Sequence, residues 1–244
     1  MRRKLMLLCG ICMLLTVSTA CAAGAPATES SNDSGRTLAV ENGISDIRIN
    51  IKYGDVIIRS NRSDNSNPDN DEITVSIGES KYLPDVSVHT EGDTLFVDES
   101  KNLPASATES YPIYLYLPDH SGIRSLSINS EHSNVSLSDE INIDSLSVFL
   151  NIDGNIDIKD AAISNLSLYS LTGPINVNLT GDPDTYDYEL STEAGNDIIL
   201  NGVAYDNTNP DSIQPEVQNH VIVNHGNSNK IQASTNGDLT VQVQ

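Results

Sequence analysis

The sequence predicts an all-β domain, a single-stranded parallel β-helix or solenoid with rungs of about 20 residues, and three observations carry that reading. Short aliphatic triplets recur: Leu126-Ser-Ile128, Leu146-Ser-Val148, Leu166-Ser-Leu168 and Tyr188-Glu-Leu190 start 20, 20 and 22 residues apart. Each is followed by a turn and a second alternating piece, namely Val135-Ser-Leu137, Ile156-Asp-Ile158, Ile175-Asn-Val177 and Ile198-Ile-Leu200. Period-two alternation with β-branched residues is a strand signal. The 244 residues include no Trp and only two Phe, so a core must come from ladders of Leu, Ile and Val. A rung of two short strands cannot bury its aliphatic face alone, whereas parallel coils stacked ~4.8 Å apart do so. An antiparallel β-sandwich of hairpins fits the same pattern, because a short Gly-Asp turn joins antiparallel strands equally well.

The chain begins with a secretory signature. Arg2, Arg3 and Lys4 form a basic region, Leu5 to Val17 an apolar one, and Ser18-Thr19-Ala20 puts small residues before Cys21. That order fits a bacterial lipobox, in which residues 1–20 are a lipoprotein signal peptide and Cys21 becomes the acylated N-terminus. Leu5 to Val17 is short for a span of ~20 residues. Cys9 and Cys12 fall within the removed segment, so their C-x-x-C spacing is neither a redox nor a zinc site. The exported part then has no disulfide, and its stability rests on the core.

Losing three cations with the signal takes the formal charge from −21 to −24. A polyanion of that size repels nucleic acid, anionic headgroups and acidic wall polymers, which argues against them as direct partners and is compatible with cationic partners or divalent ions. Residues 21–36 are the lipidated cysteine and a flexible tether of Ala, Ser, Thr, Gly and Pro. Stretched, the tether reaches roughly 50 Å. Residues 37–244 form the repeat domain.

Within that domain a turn recurs between paired strands, at Gly54, Gly92, Gly154, Gly173, Gly195 and Gly237, with Asn134 where one rung lacks glycine. Glycine adopts φ > 0 without a Cβ clash and Asn imitates it best, so the column is expected to share one left-handed geometry. Gly195 is expected to join the strands of an interior coil. The glycines form no phosphate loop, EF-hand or calcium-repeat pattern.

The run from Tyr114 through Tyr116 to Pro118, the run Ile123-Arg-Ser-Leu126-Ser-Ile128-Asn129, and the repeated Gly-Asp/Asn-hydrophobic-x-hydrophobic unit together resemble the DUF4097-type family of adhesin-like bacterial envelope proteins. The resemblance covers most of residues 40–244 and implies a β-helix-like repeat domain outside the cell. Members are described as adhesin-like, some relatives are associated with envelope-stress systems, and no catalytic residues come with the family. Asn61 to Asp71, Lys101 to Glu109 and Tyr205 to Gln218 depart from the regular pattern as polar or Pro-containing insertions.

Side chains that could carry chemistry are few. Asp64, Asp69, Asp71 and Glu72 are the densest acidic group and a weak candidate for calcium, although their spacing matches no established loop. Tyr111, Tyr114 and Tyr116 form a candidate aromatic strip for sugar or protein contact, although their alternating or neighbouring strand positions imply that at least one of them is packed. His89, His120, His132, His220 and His225 show no metal-ligand spacing, and no nucleophile elbow is present. The expectation is therefore a non-enzymatic, lipid-anchored protein facing outside the cytoplasm, with no cofactor. It would display an adhesin-like module to an envelope protein or glycan, or serve as a structural or stress-signalling accessory to a membrane partner.

Overall fold

Leu126, Leu146 and Leu166 are register partners in adjacent parallel strands, and each is at most 2% exposed, so the repeat spacing is the stacking interval of a solenoid. The computed structural model describes residues 28–32, 35–40, 43–61, 72–78, 86–99, 111–118, 122–193, 195–205 and 219–244. These form nineteen strands. The first nine are β1 (Thr28–Asn32), β2 (Gly35–Val40), β3 (Asp46–Tyr53), β4 (Asp55–Ser60), β5 (Ile73–Ile77), β6 (Val86–Glu91), β7 (Thr94–Glu99), β8 (Pro112–Leu117) and β9 (Ile123–His132). The rest are β10 (Val135–Leu137), β11 (Asn142–Asp153), β12 (Ile156–Ser170), β13 (Ile175–Leu179), β14 (Tyr186–Thr192), β15 (Ile198–Leu200), β16 (Val203–Tyr205), β17 (Asn219–Val223), β18 (Asn229–Thr235) and β19 (Leu239–Val243).

Seven coils each place one strand in either of two facing parallel sheets. In chain order they are β3/β4, β7/β8, β9/β10, β11 with the first half of β12, the second half of β12 with β13, β14/β15 and β18/β19. Strand β12 passes from one sheet to the other by bending near Asp160, whose φ is 54°. Inside one sheet Leu95, Ile47, Leu126, Leu146, Leu166, Ile231 and Tyr188 form a continuous buried row. The facing row runs Ile113, Val56, Val135, Ile156, Ile175, Leu239 and Ile198. Each such side chain contributes about 1.5–3 kcal/mol by leaving water.

The stacking order is not the chain order. Coil 1 (β3/β4) lies between coils 2 and 3, and coil 7 (β18/β19) lies between coils 5 and 6, so the stack reads 2-1-3-4-5-7-6. Outside coil 2, β5 and β6 pair antiparallel with β8 and β7, and outside coil 6, β16 and β17 pair antiparallel with β15 and β14. Both ends of the parallel stack are thereby covered in both sheets, as a repeat array with open edges requires. Antiparallel pairing, the alternative reading for the whole domain, is confined to these caps and to the β1/β2 and β2/β5 pairs beyond them. Arg124 of coil 3 fastens the displaced end: its guanidinium bonds Asp46 of coil 1 and lies 3.4 Å from Asp93 beside coil 2. The Ser125 hydroxyl first, then Arg124, hold the Asp46 carboxyl below the usual carboxylate range against the opposing effect of burial.

The glycine column is corrected in its physical cause and in part of its membership. By register, the corner positions preceding Val56, Val135, Ile156, Ile175, Leu239 and Ile198 by two residues are Gly54, Ser133, Gly154, Gly173, Gly237 and Asn196, with Tyr111 in coil 2. Asn134 stands one place later, Gly195 one place earlier, and Gly92 lies in the β6/β7 hairpin. Gly54, Gly173, Gly237 and Asn134 do not have positive φ. What demands glycine is contact: a Cβ on Gly154 would lie 1.7 Å from the Ser133 carbonyl oxygen, and one on Gly173 1.9 Å from that of Gly154. Gly195 does have φ 98°, but space around it is open, and its coil is the outermost parallel one, not an interior coil. Positive φ is thus not shared by the column, though Gly154 (φ 136°) and Gly92 (φ 63°) do have it, and left-handed backbone also occurs at the opposite corner, at Asp139 (φ 83°) and Asp160 (φ 54°).

Buried hydroxyls close the glycine corner. Ser170 Oγ donates to the Gly154 carbonyl at 2.7 Å and accepts from the Gly173 N–H at 3.1 Å. One coil on, Thr235 Oγ1 donates to the Gly173 carbonyl and accepts from the Gly237 N–H at 2.9 Å. Ser170 and Thr235 are buried, and each hydroxyl satisfies two backbone groups that the ladder does not reach.

Candidate functional site

The two sheets turn their outer faces to solvent, and the residues on those faces are what the molecule offers to a partner. On the β8 face Tyr114 and Tyr116 stack at 6.2 Å between ring centroids, both half-buried beside Ile57 and Arg59 of the next coil. Tyr111 leaves the proposed strip altogether. It is 1% exposed at the coil corner, and its hydroxyl donates to Glu99 Oε2 at 3.0 Å. The same oxygen accepts the backbone N–H groups of Lys52 at 2.5 Å and Tyr53 at 3.0 Å, so this is a corner lock between coils 1 and 2. Parity explains the difference: Tyr114 and Tyr116 alternate outward between Ile113, Leu115 and Leu117, whereas Tyr111 precedes the strand, where the corner points inward.

Burial first, then the Glu99 charge, pushes the Tyr111 phenol far above its usual value, and burial raises Tyr186 and Tyr188 as well. A group whose folded pKa is raised stabilises the fold fully below its unfolded value, about 10 for Tyr, and loses that contribution as pH climbs above it. We expect thermal stability to hold through neutral pH and to fall above pH ~10, less steeply in Tyr111→Phe. Melting temperatures between pH 7 and 11 check this; an equally steep fall in the variant would remove Tyr111 as a cause.

The most exposed aromatic group lies on the other sheet. Phe149 of β11 and Tyr169 of β12 are register partners in coils 4 and 5, with ring centroids 4.6 Å apart and planes inclined by 19°. Phe149 is 45% exposed and Ile152, near the end of the same strand, 41%. Beside them Asn151 Nδ2 donates to Asn129 Oδ1 of coil 3 at 3.0 Å. The sequence reading missed this pair, although a signal was present: Phe149 and Tyr169 are 20 residues apart, each three residues after the leucine that opens its triplet, on the outward parity.

Among the acidic group, Asp64, Asp69 and Asp71 lie outside the described residues, and Glu72 is exposed just before β5. Among the described residues no three His, Cys, Asp or Glu side chains gather as a metal would need. The expected tether is corrected in its extent: residues 28–32 and 35–36 belong to β1 and β2, which pair with each other, and β2 pairs in turn with β5. Cys21 and residues 22–27 lie outside the described residues, and no helix among those described is long and apolar enough to cross a membrane.

A two-sheet parallel β-solenoid with capped ends and one dominant exposed aromatic pair defines the class. The chain belongs to the Toastrack DUF4097 family, whose profile matches residues 44–244. It is similar to a candidate cell adhesion protein from Clostridium sporogenes, with 14% identity, TM-score 0.48, and coverage of 90% of this chain and 100% of the other. A candidate adhesin from Bacteroides fragilis has 11% identity, TM-score 0.40, and coverage of 85% and 97%. Another, from Parabacteroides distasonis, has 10% identity, TM-score 0.32, and coverage of 86% and 98%. No curated protein matches the chain.

Proposed function

We propose that this protein is a non-enzymatic lipoprotein that holds a rigid β-solenoid outside the membrane as an adhesin-like binding module. The observation that carries the binding reading is the apolar surface left in water at Phe149 and Ile152, on a strand whose inward residues Ile143, Leu146, Val148 and Leu150 are packed. One face of the Phe149 ring joins coils 4 and 5 through Tyr169, and the apolar surface that remains exposed supports an interaction surface. The order of basic, apolar and small residues before Cys21 supports the anchor, and the residues between Cys21 and β1 join it to the folded body. Family membership agrees with a role in recognition without supplying a ligand.

Two measurements test the proposal. The full-length precursor should incorporate radiolabelled palmitate and fractionate with membranes, and Cys21→Ala should do neither; equal labelling of both would refute the anchor. Bacteria displaying the protein should adhere to mucin- or polysaccharide-coated surfaces several-fold more than bacteria making Cys21→Ala. Equal adhesion would refute the binding role.

A further inference from the structure

We infer that the Phe149–Tyr169 pair is the wall of a binding site for a neutral saccharide, an inference that rests on the binding-module reading and names its ligand class. The two rings stack on each other, so each spends one face on its mate. Their row continues into short side chains, Asn129 of coil 3 on the Phe149 side and Ser234 of coil 7 on the Tyr169 side. The outer ring faces therefore rise above low polar floors instead of being covered by neighbours, consistent with the exposure of Phe149. A stacked pair standing on two adjacent strands is also held in place before any ligand arrives.

The chemistry around this wall selects the ligand. Asn129 and Asn151 spend one N–H and one oxygen on each other, which leaves the exposed Asn129 amide with two donors and Asn151 with an acceptor and a donor next to the Phe149 ring. An aromatic face with an amide donor and acceptor at its foot matches a pyranose, which presents C–H bonds on its ring faces and alternating hydroxyls around its rim. Charge narrows the class further. The row behind the wall is Ser127, Ser147, Ser167 and Gln232, so across four coils neither row carries a carboxylate or a cation. In front of it Glu131, two residues past Asn129, is offset by Lys52 at 3.5 Å. This is a neutral window on a chain of net charge −21, and that charge opposes an acidic glycan, an anionic membrane or a second copy of the chain as occupant. A neutral saccharide has nothing to be repelled.

The test is affinity electrophoresis of the full chain through gels containing yeast mannan, dextran or hydroxyethylcellulose, with polygalacturonate as the acidic counterpart. At least one neutral polymer should retard the protein. Phe149→Ala should weaken that retardation about tenfold or more, Asn129→Ala several-fold, and Phe149→Tyr little, while Tyr114→Ala on the other sheet should match the parent. Circular dichroism melts confirm that each variant is folded. Retardation by polygalacturonate alone, no retardation by any of the three neutral polymers, or undiminished retardation of folded Phe149→Ala would overturn the inference. If Phe149→Ala cells still adhere as the parent does, the binding role survives and the saccharide wall does not.

Discussion

Gly173→Ala is expected to lower the free energy of unfolding by about 3 kcal/mol or more, a fall in melting temperature of roughly 6–12 °C for a domain of this size. The added Cβ would sit 1.9 Å from the Gly154 carbonyl oxygen and 2.8 Å from Asn155 Oδ1. Most of that clash is with backbone, so no rotamer change relieves it. The coils must part at the corner, and the hydroxyl bonds of Ser170 and Thr235 to Gly154 and Gly173 lengthen with them. Because Gly173 lacks a positive φ, the loss comes from contact alone. Gly195→Ala is the natural comparison: it sits at φ 98° with nothing within 4 Å, so it should cost only about 1 kcal/mol of backbone strain. Urea melts of the two variants check the ranking, and equal costs would return the column to the shared left-handed turn.

Glu99→Ala should cost about 3 kcal/mol by a different route. One carboxylate oxygen accepts the Lys52 and Tyr53 N–H groups and the Tyr111 hydroxyl. The β3/β7 ladder has its last pair at Asn50 and Asp98, so this side chain takes over where backbone pairing stops. Alanine leaves two N–H groups and a buried phenol without an acceptor, and an unmet buried donor costs about 1–3 kcal/mol. Glu99→Gln keeps one acceptor oxygen and loses the charge assistance, so about 1 kcal/mol is expected. The other oxygen, Oε1, is buried with no partner among the described residues, which makes glutamine's new N–H₂ group a poor fit there. Melts of Glu99→Ala, Glu99→Gln and Tyr111→Phe separate these contributions; an unchanged Glu99→Ala would show that the corner is held by packing.

How much of this was legible in the sequence follows from how local each cause is. The Leu126, Leu146 and Leu166 ladder was readable because strand alternation and rung length are both written along the chain. The inward caps were not: that coil 1 sits between coils 2 and 3 depends on which strand edges remain unpaired, which no single segment records. The corner glycines were found for a reason only partly right, since φ tolerance and close approach select the same residue and only neighbouring coils distinguish them. Ser133 rather than Asn134 holds the glycine place because Asn134 uses its side chain across coils, donating to Asp55 Oδ1 at 3.0 Å and accepting from the Asn155 N–H at 3.1 Å. That one of the three tyrosines is packed was legible from their spacing, but that it is Tyr111 follows from the coil corner and the Glu99 carboxylate beyond it. The outward parity of Phe149 was legible, but its stacking on Tyr169 depends on the register of two coils, which no single segment records.

The 2-1-3 order of the first coils is the central topological claim, and distances between paired spin labels test it most directly. Residues 50 and 129 face outward on adjacent strands, whereas 98 and 129 lie two strands apart with 50 between them. Labels on Asn50→Cys/Asn129→Cys should sit about one strand spacing apart at the backbone, ~5 Å, and broaden each other's spectra strongly; Asp98→Cys/Asn129→Cys, at ~10 Å, should do so far less. Stronger broadening for the second pair would place coil 2 directly against coil 3, in chain order, and contradict the fold described.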